Sequence, residues 1–570
     1  MLLELFKELS LHPKNAAELK ALILQLAVQG KLTAKWREEN PDVEPASELL
    51  KRIEVEKERL VNAKKIKREG QLLPIEKKDL PFKVPTTWIW TKLGFISQIV
   101  GGGTPKSNNA NYFTENGIPW FTPADLGRYK SKYVKKGQRD ITELGLKNSS
   151  AQLMPAGSVL FSSRAPIGHT AICLNDFCTN QGFKSSVPFV KEMNEYIYYF
   201  FNSIVKDANE KASGTTFKEV SGTEVKNFLF PLPPLKEQYA IVSTVNQLFA
   251  EVEQLEQLTK ERIQLKHDFA ASALQRLVQA GNINGEWAAV QQHFHTFFNE
   301  KPNVKKLRET ILQLAVQGKL TTHWRKENSG TEPATELLKR IIAEKQQLIQ
   351  TGKIKKEKPL PPVKEEEIPF ELPEGWVWCR LGSITSIKGG KRLPKGEKLL
   401  TDNTGRIYIR VTDMKNGTID DSDLHFISEE VFQRIANYII EKDDLYLTIV
   451  GATIGKLGLV PDKFHGMSLT ENAARIIRYQ IDSVFLYFSM ISDLVQGQFF
   501  DKTNQVGVPK LALHRVAKTI IPLPPKEEQH AIVNTVNTLM GLCDLLEQKI
   551  GQQKSQVEEL MRSCVREVVG

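Results

Sequence analysis

The strongest constraint on this chain is that it contains itself twice. Leu19 to Lys57 aligns with Leu307 to Lys345, 288 positions later, and 27 of those 39 residues are identical. The centre of the match, Ile23-Leu24-Gln25-Leu26-Ala27-Val28-Gln29-Gly30-Lys31-Leu32-Thr33, returns as Ile311 to Thr321. The offset continues unbroken to a second match. There Pro81-Phe82, Trp88-Ile89-Trp90 and Leu93-Gly94 pair with Pro369-Phe370, Trp376-Val377-Trp378 and Leu381-Gly382. A third match pairs Pro231-Leu232-Pro233-Pro234 and Glu237-Gln238 with Pro522-Leu523-Pro524-Pro525 and Glu528-Gln529, at an offset of 291. Between the second and third matches the copies diverge. So long a period is no solenoid; it is a tandem duplication of a multi-element unit. Similar frames predict one scaffold and common partners, and dissimilar inserts predict two different ligands of one general class.

Local patterns place the elements. After Pro234, Ile241, Val245, Leu248, Val252 and Leu255 fall at 4-3 spacing, and Ile532, Val536, Leu539, Cys543, Leu546 and Ile550 repeat it. A sustained 4-3 seam predicts long helices that pair as a coiled coil, or a long amphipathic helix lying on a globular core. The proline pairs ahead of them suit a helix start. Ile23 to Val28 reads as a helix stopped by Gly30, and Ile311 to Val316 as one stopped by Gly318. The inserts carry short β-rich runs, such as Ser158 to Phe161, Thr170 to Cys173, Leu445 to Val450 and Arg475 to Arg478, with helical patches such as Tyr196 to Val205. The expected division is an N-terminal helical region at 1–79, a first insert at 80–230 and a central helical region at 231–367. A second insert follows at 368–521, and a C-terminal helix at 522–570. The fold class is α+β, with two mixed α/β domains and a pair of long helices in a pseudo-two-fold duplication. The N-terminal helices are expected to pack beside the C-terminal helix.

Charge narrows the ligand class. The net charge is +10, from 77 Lys and Arg against 67 Asp and Glu. Residues 80–235 hold 17 basic and 11 acidic side chains, whereas 368–525 hold 19 and 18. Arg128, Lys130, Lys132, Lys135, Lys136 and Arg139 cluster around Tyr129 and Tyr133, and Lys388, Lys391, Arg392, Lys395 and Lys398 cluster around glycines. Such clusters can neutralise phosphates. Five cysteines in 570 residues make no disulfide framework and predict buried thiols in a reducing compartment. The first residues read as no signal peptide, and no apolar run reaches 18 residues, so a cytoplasmic chain without a membrane span is expected.

No catalytic motif stands out. Gly451-Ala452-Thr453-Ile454-Gly455-Lys456 is one residue short of a phosphate-binding loop and lacks the hydroxyl after the lysine, so it reads as a turn. No Asn/Asp-Pro-Pro-aromatic loop of an amino-methyltransferase occurs, and no metal-ligand cluster is evident. The chain reads as having no catalytic residues and no metal site of its own. A diverged fused methyltransferase or nuclease, or a pure assembly scaffold, are the alternatives.

With these residues in view, the chain resembles the DNA-specificity subunit of type I restriction–modification systems over nearly all its length. The duplicated P-L-P-P-x-x-E-Q, I-L-Q-L-A-V-Q-G-K-L and W-x-W-x-x-L-G segments carry the resemblance. Inside the inserts it is carried by Gly102-Gly103-Thr104-Pro105, Ile118-Pro119-Trp120, Ser163 to Gly168, Asn180-Gln181-Gly182-Phe183, Val450 to Gly455 and Glu471-Asn472-Ala473. The resemblance implies two target-recognition domains separated by an antiparallel pair of long coiled-coil helices, each domain reading one half of a split asymmetric double-stranded DNA site and the helices setting the gap. It also implies two adenine-N6 methyltransferase subunits and two motor/nuclease subunits as partners. S-adenosylmethionine, ATP and magnesium would belong to those partners. For DNA contact the residues favoured are Lys106, Arg128, Lys130, Lys132, Arg164 and Lys184 in the first insert, and Lys391, Arg392, Lys395, Arg410 and Lys456 in the second. Arginine suits bidentate guanine readout and lysine suits phosphate.

Overall fold

The computed structural model describes residues 15–68, 70, 72, 74–129, 131–213, 218–499 and 510–569. It divides into two compact units: residues 1–262 with 557–570, and residues 263–556.

The first unit opens with helices α1 (Asn15–Val28), α2 (Ala34–Glu39) and α3 (Ala46–Asn62). Leu19, Leu22, Ile23, Leu26 and Ala27 bury one side of α1. Gly30 ends it at φ +72°, with Gly30 N bonded to Ala27 O at 3.1 Å and Lys31 N to Leu26 O at 3.0 Å. This doubled closure needs a left-handed residue, and glycine adopts that conformation without a Cβ penalty.

The insert is zipped at its base. Strand β1 (Ile89–Lys92) will pair with the last strand of the domain, far along the chain. Next come β2 (Ser97–Gly101), β3 (Phe113–Thr114), β4 (Ile118–Phe121), β5 (Tyr133–Val134) and β6 (Arg139–Ile141). They are followed by β7 (Val159–Ser163), β8 (Ile167–Cys173), β9 (Cys178–Thr179), β10 (Lys184–Pro188), helix α4 (Asn194–Ser203) and β11 (Leu229–Leu232). β1 and β11 pair antiparallel, Ile89 opposite Leu232. One sheet runs β2-β10-β7-β8-β5 and a second β3-β6-β4-β9. Every residue of β7 is buried, as expected for a central strand with both faces covered. Helix α4 covers β8 and meets α1.

Helix α5 (Leu235–Gln279) follows Pro233-Pro234 and has 45 residues, a length of roughly 67 Å. Its first seam residues, Ile241, Val245 and Val252, share one core with α1 and α4. Lys20 on α1 pairs with Glu253 of α5 at 2.7 Å. The N-terminal block thus seats on α4 and on the helix that follows its own insert.

The second unit repeats the plan with α6 (Lys301–Val316), α7 (Thr322–Glu327) and α8 (Ala334–Gln350). Its insert holds β12 (Val377–Arg380), β13 (Thr385–Gly389), β14 (Tyr408–Ile409), β15 (Met414–Lys415) and β16 (Thr418–Ile419). It continues with β17 (Ile439–Ile440), β18 (Leu445–Thr448), β19 (Leu457–Leu459), β20 (Met467–Leu469), β21 (Ala473–Arg478), α9 (Ser483–Ile491) and β22 (Ile520–Leu523). Val377 lies opposite Leu523 in the β12–β22 pair, as Ile89 lies opposite Leu232. Sheets run β13-β21-β18-β19 and β14-β20-β17, with a β15–β16 hairpin. Helix α10 (Lys526–Val569) follows. Its Ile532, Val536, Cys543 and Ile550 lie in the core of this unit. Arg308 of α6 pairs with Asp544 of α10 at 2.6 Å. The chain passes from the first unit to the second along α5, and back along α10, whose last residues belong to the first unit.

One buried carboxylate ties each frame together. Glu237, fully buried at the start of α5, accepts hydrogen bonds from Thr33 Oγ1 at 2.7 Å, from Arg37 and from Trp88 Nε1 at 2.8 Å. Glu528 does the same with Thr321 at 2.6 Å, Arg325, and Trp376 at 2.8 Å. Each arginine also donates to the carbonyl of the helix-ending glycine, Gly30 or Gly318. The three duplicated sequence segments are therefore duplicated because they meet. A buried carboxylate is tolerated when it is paired and hydrogen-bonded, and here both oxygens of each glutamate accept.

Candidate nucleic-acid interface

At one end of each recognition domain, four loops converge. In the first domain they leave β2, β4, β7 and β9. Gly103 N bonds Thr179 O at 2.8 Å, Asn180 N bonds Phe121 O at 2.9 Å and Ser163 N bonds Gly182 O at 2.8 Å. In the second domain Lys391 N bonds Leu469 O at 2.8 Å, Thr470 N bonds Ile409 O at 3.1 Å and Ile449 N bonds Asn472 O at 2.8 Å. β4 pairs parallel with β9, and β14 with β20, in matching register. Inserts unlike in sequence thus build the same loop cluster.

The approach of the first loop is set by glycine. A Cβ on Gly102 would lie 2.0 Å from Asn180 O, and one on Gly390 2.1 Å from Thr470 O. The second loops share an acidic anchor. Asp125 Oδ2 accepts from Thr122 N at 2.7 Å, and Asp413 Oδ2 accepts from Arg410 N at 2.8 Å. The Gly451 to Gly455 segment is a turn between β18 and β19, with both glycines at positive φ.

The basic residues favoured from sequence divide into two groups. Lys106, Arg128, Lys391, Lys395 and Lys456 are exposed and have no carboxylate partner among the described residues. Lys391 lies over the Tyr438 ring, 5.4 Å from its centroid. The others named are held in ion pairs. Lys132 donates to Glu195 at 2.8 Å and sits between the Tyr133 and Tyr199 rings. Burial opposes it, yet hydrogen bonds from Lys132 and Tyr133 hold the Glu195 carboxyl below its usual range. Lys132 is therefore a strut between β5 and α4. Arg164 and Lys184 share Glu219, at 3.5 and 2.9 Å. Arg410 is bound to Asp413 at 2.7 Å and Asp423 at 3.1 Å. The hydrogen bond to Asp413, helped by Asp423, raises its pKa further above the ordinary arginine value. Arg410 faces its own domain, so its fork is already occupied. Arg392 pairs with Glu471 at 2.8 Å but keeps its side chain 80% exposed. Lys130 lies outside the described residues.

Uncharged polar side chains join the cluster, and a search for basic residues does not find them. Gln181, in the Asn180-Gln181-Gly182-Phe183 segment, is exposed at the loop cluster and accepts a hydrogen bond from Thr104 Oγ1. Thr412 and Asn472 line a cleft of about 420 Å³ beside Arg392 and Glu471. An Asn or Gln amide matches the adenine edge as a guanidinium matches guanine. The motif itself was the available signal, and basic-residue counting is blind to amides.

Among the described residues no group of three His, Cys, Asp or Glu side chains is placed to hold a metal ion, and no helix is long and apolar enough to cross a membrane. Loops that carry cations and amides at the end of a rigid sheet scaffold can bind a polyanion and distinguish the groups along it.

These features suit a two-domain reader of a polyanion, and comparison with known proteins identifies the class of that ligand as DNA. A family model described as type I restriction modification DNA specificity domain matches residues 85–265 and again 373–554. The chain belongs to that family. It is 31% identical over 556 residues to the type I restriction enzyme EcoAI specificity subunit of Escherichia coli, covering 93% of this chain and 90% of that one. It is 28% identical to the EcoEI specificity subunit of the same organism, over 95% and 92% of the two chains. With the MjaIX specificity subunit of Methanocaldococcus jannaschii it shares 26% identity over 79% and 87%.

Proposed function

We propose that this chain is the sequence-reading subunit of a type I restriction–modification complex. Each recognition domain reads one half of a bipartite, asymmetric site in double-stranded DNA, and helices α5 and α10 set the unread gap. The observation that carries this reading is the repetition of one buried frame, centred on Glu237 and Glu528, beneath two loop clusters of different chemistry. A repeated frame suits two identical partner subunits, and different clusters suit different half-sites.

The chain performs recognition, and chemistry belongs to its partners. Two adenine-N6 methyltransferase subunits dock on the two frames, and two motor/nuclease subunits join for cleavage. S-adenosylmethionine, ATP and magnesium are carried by those subunits. Lys106, Arg128, Lys391, Lys395 and Lys456 supply phosphate contacts.

Co-expression of the full chain with its methyltransferase partner, followed by mapping of methylated adenines, tests the reading. The expected result is one split motif with a fixed gap and unlike halves. A continuous motif, or methylation without sequence preference, would overturn it.

A further inference from the structure

The two loop clusters hold one contact in common that differs in chemistry. In the first domain Thr104 Oγ1 donates to Gln181 Oε1. In the second, Arg392 Nε donates to Glu471 Oε1 at 2.8 Å. Thr104 and Arg392 stand at the offset of 288 that aligns the frames. Gln181 and Glu471 are equivalent by structure. Each follows the residue whose backbone N–H bonds the end of the parallel strand, Asn180 to Phe121 O and Thr470 to Ile409 O. Each precedes the residue whose carbonyl receives the end of the central strand, Gly182 from Ser163 and Asn472 from Ile449. So one position on the first loop touches one position on the fourth loop in both domains, and the pair is Thr–Gln in one and Arg–Glu in the other.

Three of the four side chains are open to a ligand. The fourth, Glu471, is 28% exposed, with Oε2 accepting from Tyr408 Oη and Thr470 Oγ1 and a lone pair of Oε1 left beside Arg392. Thr104 and Gln181 are exposed, and the Arg392 side chain is 80% exposed. Glu471 holds Arg392 through Nε alone, which leaves both Nη groups of the fork without a described partner. A guanidinium steadied from behind in this way loses less rotamer freedom when it binds. Gln181 keeps its Nε2 donors and one lone pair of Oε1.

We propose that these two pairs are specificity-determining contacts to base edges. Thr104–Gln181 reads an A·T pair in one half-site, with the Gln181 amide on adenine. Arg392–Glu471 reads a G·C pair in the other half-site, with Arg392 on guanine and Glu471 accepting from the cytosine amino group. The chemistry follows the major-groove code, in which an amide matches adenine N6 and N7, a guanidinium matches guanine O6 and N7, and a carboxylate accepts from cytosine N4. The inference rests on the DNA-reading function proposed above.

The test uses the full chain with its methyltransferase partner and maps methylated adenines for the native protein, Gln181→Glu, Arg392→Lys and the double variant Arg392→Thr with Glu471→Gln. The native arm tests the underlying reading: without a split motif there, that reading fails and this proposal falls with it. Given a split motif, Gln181→Glu should relax or change one position in one half-site. Both changes at the Arg392–Glu471 pair should do so at one position in the other half-site, with preference there falling about tenfold to a hundredfold. Arg392→Lys keeps the charge but loses the fork, so it separates base reading from phosphate contact. An unchanged motif in Gln181→Glu and Arg392→Lys would overturn the proposal. So would a uniform loss of methylation with every position of the motif retained.

Discussion

The indole of Trp88 donates to the carboxylate of Glu237 at 2.8 Å across 149 residues of sequence, and Trp376 donates to Glu528 at 2.8 Å across 152. This contact joins the start of each recognition domain to the helix that leaves it. It acts with the β1–β11 and β12–β22 pairs to fix both ends of a divergent insert to one repeated base. A domain fixed in this way can vary its loops without disturbing the scaffold.

The carboxylate is the first point of attack. Glu237→Gln removes the negative charge from the buried hub and leaves the partly buried Arg37 guanidinium without its ionic partner. Breaking one side of a buried ion pair costs about 3–5 kcal/mol. Denaturant titration of the variant should show a loss of that order in the first unit, and Glu528→Gln the same in the second. A change under about 1 kcal/mol would mean that the hub contributes no more than a surface pair.

The helix-ending glycines give a sharper comparison. Gly30 has φ +72°, and an added Cβ would lie 2.8 Å from Pro85 Cγ and 3.1 Å from the Trp88 ring. Gly541 lies inside α10 with nothing within 4 Å of an added Cβ. Gly30→Ala should therefore destabilise by about 1–3 kcal/mol, while Gly541→Ala should stabilise by about 0.5–1 kcal/mol. Thermal unfolding of the two variants side by side checks the opposite signs.

Salt dependence separates ligand-facing cations from struts. Lys106→Ala with Arg128→Ala should weaken DNA binding by the assembled complex. It should also lower the slope of log K against log salt by about 0.9 for each phosphate that is no longer neutralised. Lys132→Ala should leave that slope unchanged and reduce thermal stability, because Lys132 is bound to Glu195. Fluorescence anisotropy across a salt series distinguishes the two.

The thiols carry a pH prediction. Burial pushes Cys173 up to about 11 and Cys178 and Cys379 up to about 12. These values lie above the unperturbed thiol, so the reactive thiolate is suppressed in the folded state throughout pH 7–9 and appears there only on unfolding. For a pKa near 12 the thiolate fraction at pH 8 is about one in ten thousand. Native protein treated with iodoacetamide at pH 8 should show no modification of these three by mass spectrometry, and denatured protein should show full modification. Rapid native labelling of Cys178 would contradict the buried placement.

Much of the frame was legible because both copies wrote the same message. The glycine stops, the proline pairs and the long helices followed from local spacing, and the short strands from β-rich runs. That Thr33, Arg37, Trp88 and Glu237 converge was not legible. Their separations reach 204 residues, and no local pattern encodes a contact so remote. The basic residues show the same limit. Lys132, Arg164 and Lys184 look like ligand-binding cations in sequence, and their carboxylate partners Glu195 and Glu219 lie 35 to 63 positions away. Arg410 is different. Its partner Asp413 stands three residues on, and that short spacing signals a side chain already satisfied. Gln181 and Thr104 carry no charge, so a charge census passes over a contact that the folded loops place in the open.

The most direct measurement of the central claim exchanges one recognition domain alone. Residues 80–230 are replaced by the corresponding insert of a relative with a different half-site, the frame residues Trp88 and Glu237 being kept, and methylated adenines are mapped in cells that carry the partner subunit. The account predicts that one half of the split site changes while the gap and the other half stay as they were. A change in both halves, or in the gap, would contradict two independent readers on one duplicated frame.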